Sequence, residues 1–490
     1  MSAIEQEADG RRWLAFAVLC AVQLMILIDT SIVSVALRAI QEDLGFSQSG
    51  LAWTTNAYTI AFGGLLLLSG RLGDLMGRKR MFLAGVVLFT SASFLCGVSR
   101  TQGLLVTGRL LQGIGAAMAA AVVMGIVITL FRDPAEIVKA IGAFSFVAAA
   151  GGSIGVLAGG VLTESISWHW IFFINVPIGI AAAVFAIPLI DDDRGPGLRE
   201  GADWLGAALV TGGLMLGVYT MVNVTEHGWS SAHTLGFGAL SVVLLGAFVL
   251  RQAATATPLM PLRIFRSRNL SGANLVQLLL TAGMFGFNFL SALYLQQVLG
   301  YGPLQAGFAS LPVAVALAVV SLAFSPKLNL SFGSRNVLLA GLLLIAGALA
   351  LAARAPVEAG FWIDVLPMMV LLGAGAGLSM PAVMTLAMSG ATPQDAGLVS
   401  GLAGTTGMVG GSLGLAVWTA LSAGRTEKLL ADGHPPLEAL NGGFRFVFAL
   451  SAGVVLVSAL VGFLMLRTPV APAGPPPAPA PAGEAATAAG

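Results

Sequence analysis

The sequence predicts an all-α polytopic membrane protein with fourteen transmembrane helices. Three observations carry that expectation: a composition poor in charge, a train of apolar stretches of membrane-spanning length, and a one-sided placement of Lys and Arg. Of the 490 residues, 57% are hydrophobic and 10% are charged, and the mean hydropathy is +0.90. A soluble domain carries roughly a quarter charged residues, so water is not the main solvent of this chain. The 63 glycines suit a packed bundle, because small side chains let helices approach where lipid offers no hydrophobic effect to pull them together.

The apolar stretches lie near 13–37, 51–69, 81–99, 103–125, 140–162, 170–190, 204–223, 234–250, 270–297, 304–325, 336–353, 362–386, 397–420 and 444–466. Each is near the length of about 20 residues that crosses a hydrocarbon core of about 30 Å. The first ten residues are polar and acidic rather than a cleavable leader, so the first span is expected to stay in the mature protein. From Pro469 onward the chain is Pro/Ala-rich and reads as a disordered tail.

Orientation follows from the cations. With the N-terminus inside, 17 of the 24 Lys and Arg fall in cytoplasmic segments, 6 fall outside, and Arg109 lies within a span. The positive-inside bias then puts both termini in the cytoplasm of a bacterial-type plasma (inner) membrane. All eight Trp fall at or near expected span ends, as an interfacial aromatic belt requires. Cys20 and Cys96 sit in apolar runs on separate spans and read as buried free thiols.

Several function classes drop out. A net charge of +1 gives no nucleic-acid footprint. Gly151-Gly152-Ser153-Ile154-Gly155 satisfies G-x-S-x-G but lies in a membrane helix with no preceding strand. None of Lys79, Lys139, Lys327 and Lys428 follows a glycine, so no phosphate-binding loop is present and ATP cannot drive this chain unaided. His169, His227, His233 and His434 lack ligand spacing, so no metal is expected. An enzyme is not expected.

Charged residues at odd places carry the remaining information. Asp29 is the one carboxylate well inside a span; burial there is costly, so it is a proton or substrate site or one half of a static ion pair. Arg109 on span 4 lies at a matching depth and is its expected partner, to favour deprotonation or to lock spans 1 and 4. Between spans 2 and 3, Gly70 to Arg80 hold Asp74 among four cations with Gly77 and Arg78 in the turn. That arrangement suits a clamp released in one of two states, or a tight turn obeying positive-inside topology. In span 5, Gly151, Gly155 and Gly159 recur at four-residue spacing, with Gly160 beside them. They form a flat stripe for close packing or for an occluding gate.

The strings GRLGDLMGRKR at Gly70–Arg80, LIDTSIVSVAL on span 1, GRLLQGIGAA on span 4, SWHWIFFINVPIG at span 6 and YLQQVLGYGPLQAG between spans 9 and 10 occur in that setting. Together they resemble the major facilitator superfamily, and within it the fourteen-span drug:proton antiporters, over nearly the whole chain. The resemblance implies the major facilitator fold: two six-helix bundles, 13–190 and 270–466, joined by 191–269 with two inserted helices, between a cytoplasmic N-terminus (1–12) and tail (467–490). It also implies a midplane substrate site between the bundles and proton transfer at Arg109. Four departures stand out: Val156 at the usual span-5 proline, His169 at a usual arginine, Arg38 at a usual proline, and KLNLSFGSR (Lys327–Arg335) as a second loop motif without a carboxylate.

The expected function is export of amphipathic small molecules in exchange for protons, with no cofactor and the proton gradient as energy source. An uncoupled facilitator or importer and a membrane sensor are the alternatives. Expected partners are the lipid bilayer, protons and a small-molecule substrate; nothing in the sequence specifies a periplasmic adaptor. Spans 9 to 14 hold no deep carboxylate, and their interior polar groups include Asn274, Gln277, Asn288, Gln296 and Thr385. Amides and hydroxyls suit neutral or singly charged cargo better than dications.

Overall fold

A computed structural model describes residues 3–46, 48–131, 133–193, 195, 197, 203–255, 258–389 and 395–467; the expected tail and the side chains of Arg38, Val156 and Asn288 lie outside the described residues. The described chain is helical and without strands. The helices are α1 (Ala3–Leu44), α2 (Gln48–Met76), α3 (Arg78–Gly97), α4 (Gln102–Leu130), α5 (Pro134–Ser165), α6 (Trp170–Phe173), α7 (Asn175–Leu189), α8 (Trp204–His227), α9 (Ala232–Ala254), α10 (Arg268–Leu293), α11 (Pro303–Val319), α12 (Ser325–Phe332), α13 (Ser334–Ala352), α14 (Leu366–Met388), α15 (Ala396–Ala431) and α16 (Pro436–Met465). Among the described residues thirteen helical spans are long and apolar enough to cross a membrane. Helix α5, 32 residues long and uncharged between Lys139 and Glu164, has the length and composition of the expected fifth span.

The two halves repeat one packing scheme. In the first, α1 lies on α5, α2 on α4 and α3 on α4; in the second, α10 lies on α15, α11 on α14 and α13 on α14. Glycines make the closest crossings in both. A methyl at Gly85 would fall 2.7 Å from the Gly115 carbonyl oxygen, and one at Gly341 would fall 2.7 Å from that of Gly375. The two loop motifs repeat as well. Gly77 and Gly333 take φ of +102° and +78°, a region that side chains disfavour, and each starts the following helix. The second turn therefore keeps the shape of the first, with Leu330 exposed where Asp74 stands in the register of the first.

Helices α8 and α9 pair with each other, and α8 packs on α2 and α15, so the inserted hairpin touches both halves. Asp203 anchors it, accepting from Gly206 N (2.9 Å), Arg251 Nε (2.7 Å) and Gln252 Nε2 (2.8 Å). Burial works against its charge, but these donors prevail and hold the carboxyl below its ordinary range.

Several expectations need correction. The helices overrun the expected spans: α1 continues to Leu44 and α15 to Ala431. Span 6 is broken at Ile174 into α6 and α7. Span 10 passes through a π-helical turn at Val320–Phe324 and runs on to Phe332. Trp418 is not part of an aromatic belt: it is buried, and its Nε1 donates to the Ala282 carbonyl at 2.7 Å. Trp168 is also buried, donating to Asp43 at 3.0 Å. Trp418 places its N–H on an interior carbonyl and Trp168 on the exposed Asp43 at the end of α1, so each indole N–H is bonded within the protein.

The stripe on α5 packs against α1. Gly151 meets Leu27, Gly155 meets Ile28 and Gly159 meets Ile32, a methyl at Gly155 falling 2.8 Å from the Ile28 carbonyl oxygen, whereas Gly160 faces open space. Gly155→Val is expected to overpack this seam at a cost of about 1–3 kcal/mol and to lower the melting temperature of detergent-purified protein. Gly160→Ala should leave it unchanged; equal melting of the two variants would contradict the seam.

Candidate functional site

Two polar centres stand out, one inside the first bundle and one where the bundles meet. The first begins with the α1–α5 seam, which presses the Ile28–Asp29 turn inward. Asp29, Arg109, Gln112 and Asn175 are all buried. Arg109 on α4 donates from Nη1 to Asp29 Oδ2 and to Gln112 Oε1 (2.9 Å), and from Nε to the Thr54 carbonyl (2.9 Å). Its guanidinium lies 4.3 Å over the Tyr58 ring, a favourable place for a desolvated cation. Gln112 Nε2 (3.0 Å) and Asn175 Nδ2 (2.9 Å) both donate to Asp29 Oδ1. Three side chains from α4 and α7 thus offer only donors to one carboxylate. A buried pair with this many bonds is held firmly, and removing one partner costs about 3–5 kcal/mol by stranding the other charge.

The second centre joins α2 to α15. Asp74 accepts from Gly397 N (3.1 Å) and Leu398 N (2.8 Å), the unpaired amides of the first turn of α15. It also accepts from Arg78 Nε (3.1 Å) and Nη2 (2.9 Å), while Arg78 Nη1 donates to the Gly125 carbonyl (3.3 Å). Gly70 lies directly against the Gly397 carbonyl, so a side chain there would part the helices. Ser321 Oγ donates to the Gly142 carbonyl at 2.8 Å, a further bond between the halves.

A support for this loop was not foreseen. Gly77 has no side chain to cap α3, and Asp193 does so instead, accepting from Arg78 N (2.9 Å) and Lys79 N (3.1 Å). Lys79 pairs with Asp192 at 3.0 Å. The Asp191–Asp193 run gave no signal beyond its charge, because capping depends on a fold that brings it to a helix 115 residues earlier. Gln112 and Asn175 were likewise missed, although both stand inside quoted motifs as amides in apolar helices.

The polar groups of α10 separate. Asn274 Oδ1 accepts from Thr406 Oγ1 (3.0 Å), and Gln277 lies beside Gly407, so both face α15. Gln296 is exposed at the far end of the span. Among the described residues no group of three His, Cys, Asp or Glu is arranged to hold a metal ion.

The model of the Major Facilitator Superfamily matches residues 19–415. The chain belongs to the major facilitator superfamily. It is thus a membrane transporter rather than an enzyme. The puromycin resistance protein pur8 of Streptomyces alboniger is 35% identical over 471 residues, 95% of this chain and 93% of that protein. The cephamycin export protein CmcT of Amycolatopsis lactamdurans is 34% identical, covering 94% and 92%, and the tetracenomycin C resistance and export protein of Streptomyces glaucescens is 33% identical, covering 86% and 78%. Among solved structures, the human organic anion transporter MFSD10 superposes with a TM-score of 0.64 over 92% of this chain and 99% of that one. The proton:xylose symporter XylE gives 0.63 over 94% and 97%. Both are 15% identical and speak for the fold alone.

Here the Asp74 bonds hold α2 of the first half closed against the start of α15 in the second. Hydrogen bonds to a charged group are worth about 1.5–3 kcal/mol each, so Asp74→Asn should depopulate the closed state roughly tenfold or more. Turnover is expected to fall by that order while binding of a fluorescent substrate changes less than about threefold. A large loss of affinity at unchanged turnover would contradict the clamp.

Proposed function

We propose that this chain is a secondary active exporter that moves amphipathic small molecules out of the cell in exchange for protons by alternating access. The bundles 13–190 and 270–466 rock about a midplane site, and the hairpin in 191–269 rides on both. The observation that carries the reading is the buried Asp29 carboxylate beside Arg109. A carboxylate that gains water access in one state and meets a fixed cation in the other binds and releases a proton as the cleft alternates. The names of the relatives, resistance and export proteins for several antibiotics, favour outward movement of such compounds.

Asp74 and Arg78 act as the gate at the end where Lys and Arg accumulate, which makes it the cytoplasmic end. The protein then sits in a bacterial plasma (inner) membrane with both termini cytoplasmic, and the proton gradient is its energy source without a cofactor. Gln277, half-buried on the face toward α15, offers hydrogen bonds to cargo, which favours neutral or singly charged molecules, whereas Asn274 is already bonded to Thr406 and Leu270.

Asp29→Asn preserves shape and cannot carry a proton. In everted vesicles compared at matched abundance, the variant is expected to lose substrate-induced collapse of the pH gradient. Full active efflux by Asp29→Asn would remove Asp29 from the mechanism, and substrate flux without gradient collapse in the wild type would favour an uncoupled carrier. Resistance assays with mono- and dicationic antiseptics and a neutral antibiotic test the cargo: stronger protection against the dication would contradict the amide-lined site.

A further inference from the structure

Asn175 lies one residue after the break in span 6 and makes no contact that the export mechanism requires. Its amide nonetheless touches the carboxylate at the centre of it. A charged carboxylate only accepts, so Asn175 must present its NH2 to Asp29. The second amide proton goes to Ser93 Oγ at 3.0 Å, and Ser93 in turn donates to the Phe172 carbonyl at 2.9 Å. That leaves Asn175 Oδ1 buried with no hydrogen-bond partner. Such an orphan costs about 1–3 kcal/mol and calls for an explanation.

The surroundings of Asp29 supply one. Protonation turns Asp29 Oδ1 into a donor, yet every group bonded to the carboxylate is itself a donor: Arg109, Gln112 and Asn175. The other titratable groups facing it, Tyr58 on α2 and Cys96 on α3, offer no carbonyl. The Gln112 amide cannot turn, because its Oε1 already accepts from Arg109 at 2.9 Å and lies 3.4 Å from Cys96 Sγ. Asn175 has no such restraint on its oxygen.

We propose that the Asn175 amide turns over when Asp29 is protonated, so that it serves as donor to the carboxylate and acceptor to the carboxylic acid. A proton carried in by hydronium, which leaves as water, bonds to Asp29 Oδ1, the Asn175 Nδ2–H bond to that oxygen breaks, and the new O–H donates to Asn175 Oδ1. Asp29 Oδ1 still accepts from Gln112 through its other lone pair, and Oδ2 stays on Arg109. The Ser93 hydroxyl is a rotor and can donate to the Asn175 carbonyl in its new place. Asn175 is thus a positioning residue that offers Asp29 a donor in one protonation state and an acceptor in the other, and this role rests on the proton-coupling reading above.

Isotope-edited infrared difference spectroscopy on the purified protein tests it during a pH titration, with asparagine labelled in the side-chain carbonyl. The expected result is a carboxylic-acid band that appears on acidification and is lost in Asp29→Asn, accompanied by a shifted label-sensitive amide band that is lost in both Asp29→Asn and Asn175→Leu. The acid band without any label-sensitive amide shift would overturn the proposal and leave proton coupling intact. Persistence of the amide shift in Asn175→Leu would assign it to another asparagine and also overturn the proposal. Absence of the acid band itself would overturn the coupling reading, a separate result. The wild-type spectra decide the first point even where a variant does not fold.

Discussion

The pairing of Asp29 with Arg109 is the constraint on which the first bundle depends. Neither charge is tolerable alone in a membrane interior, and the surrounding residues serve to keep them together. Tyr58 supplies a π face, Thr54 a carbonyl, and Gln112 and Asn175 amide donors. The glycines of α5 admit α1 closely enough to bring Asp29 into that setting. Thus the costliest residues of the sequence organise four helices around one point.

The second half of the chain repeats the architecture and omits the charges. The same helix pairs cross on the same glycine spacing, and Gly333 repeats the turn of Gly77, yet Leu330 stands where the first copy has Asp74. The second half instead presents helix-end amides: the first turn of α15 receives the Asp74 carboxylate. One half carries the ionisable machinery and the other supplies the dipole it grips, an asymmetry suited to a two-state hinge.

Much of this was legible in the sequence because membrane proteins punish exceptions. Thirteen of the fourteen expected spans followed from apolar length, and the Asp29–Arg109 contact from two charges at one depth. The partner of Asp74 was not legible, since the α15 amides are backbone groups 323 and 324 residues away and leave no mark on residue identity. Asn175 escaped for a related reason: an asparagine in a helix reads as a local hydrogen bonder until its distant neighbours are known. Trp418 misled because α15 runs beyond the expected span, turning an apparent helix end into an interior position.

The central claim is that Asp29 exchanges its proton for cargo. The most direct measurement is proton release on adding a transported antibiotic to purified protein in lightly buffered detergent solution. The account predicts a stoichiometric release from the wild type within the pH range of transport and none from Asp29→Asn, with the drug still binding. Equal release from both proteins would contradict it.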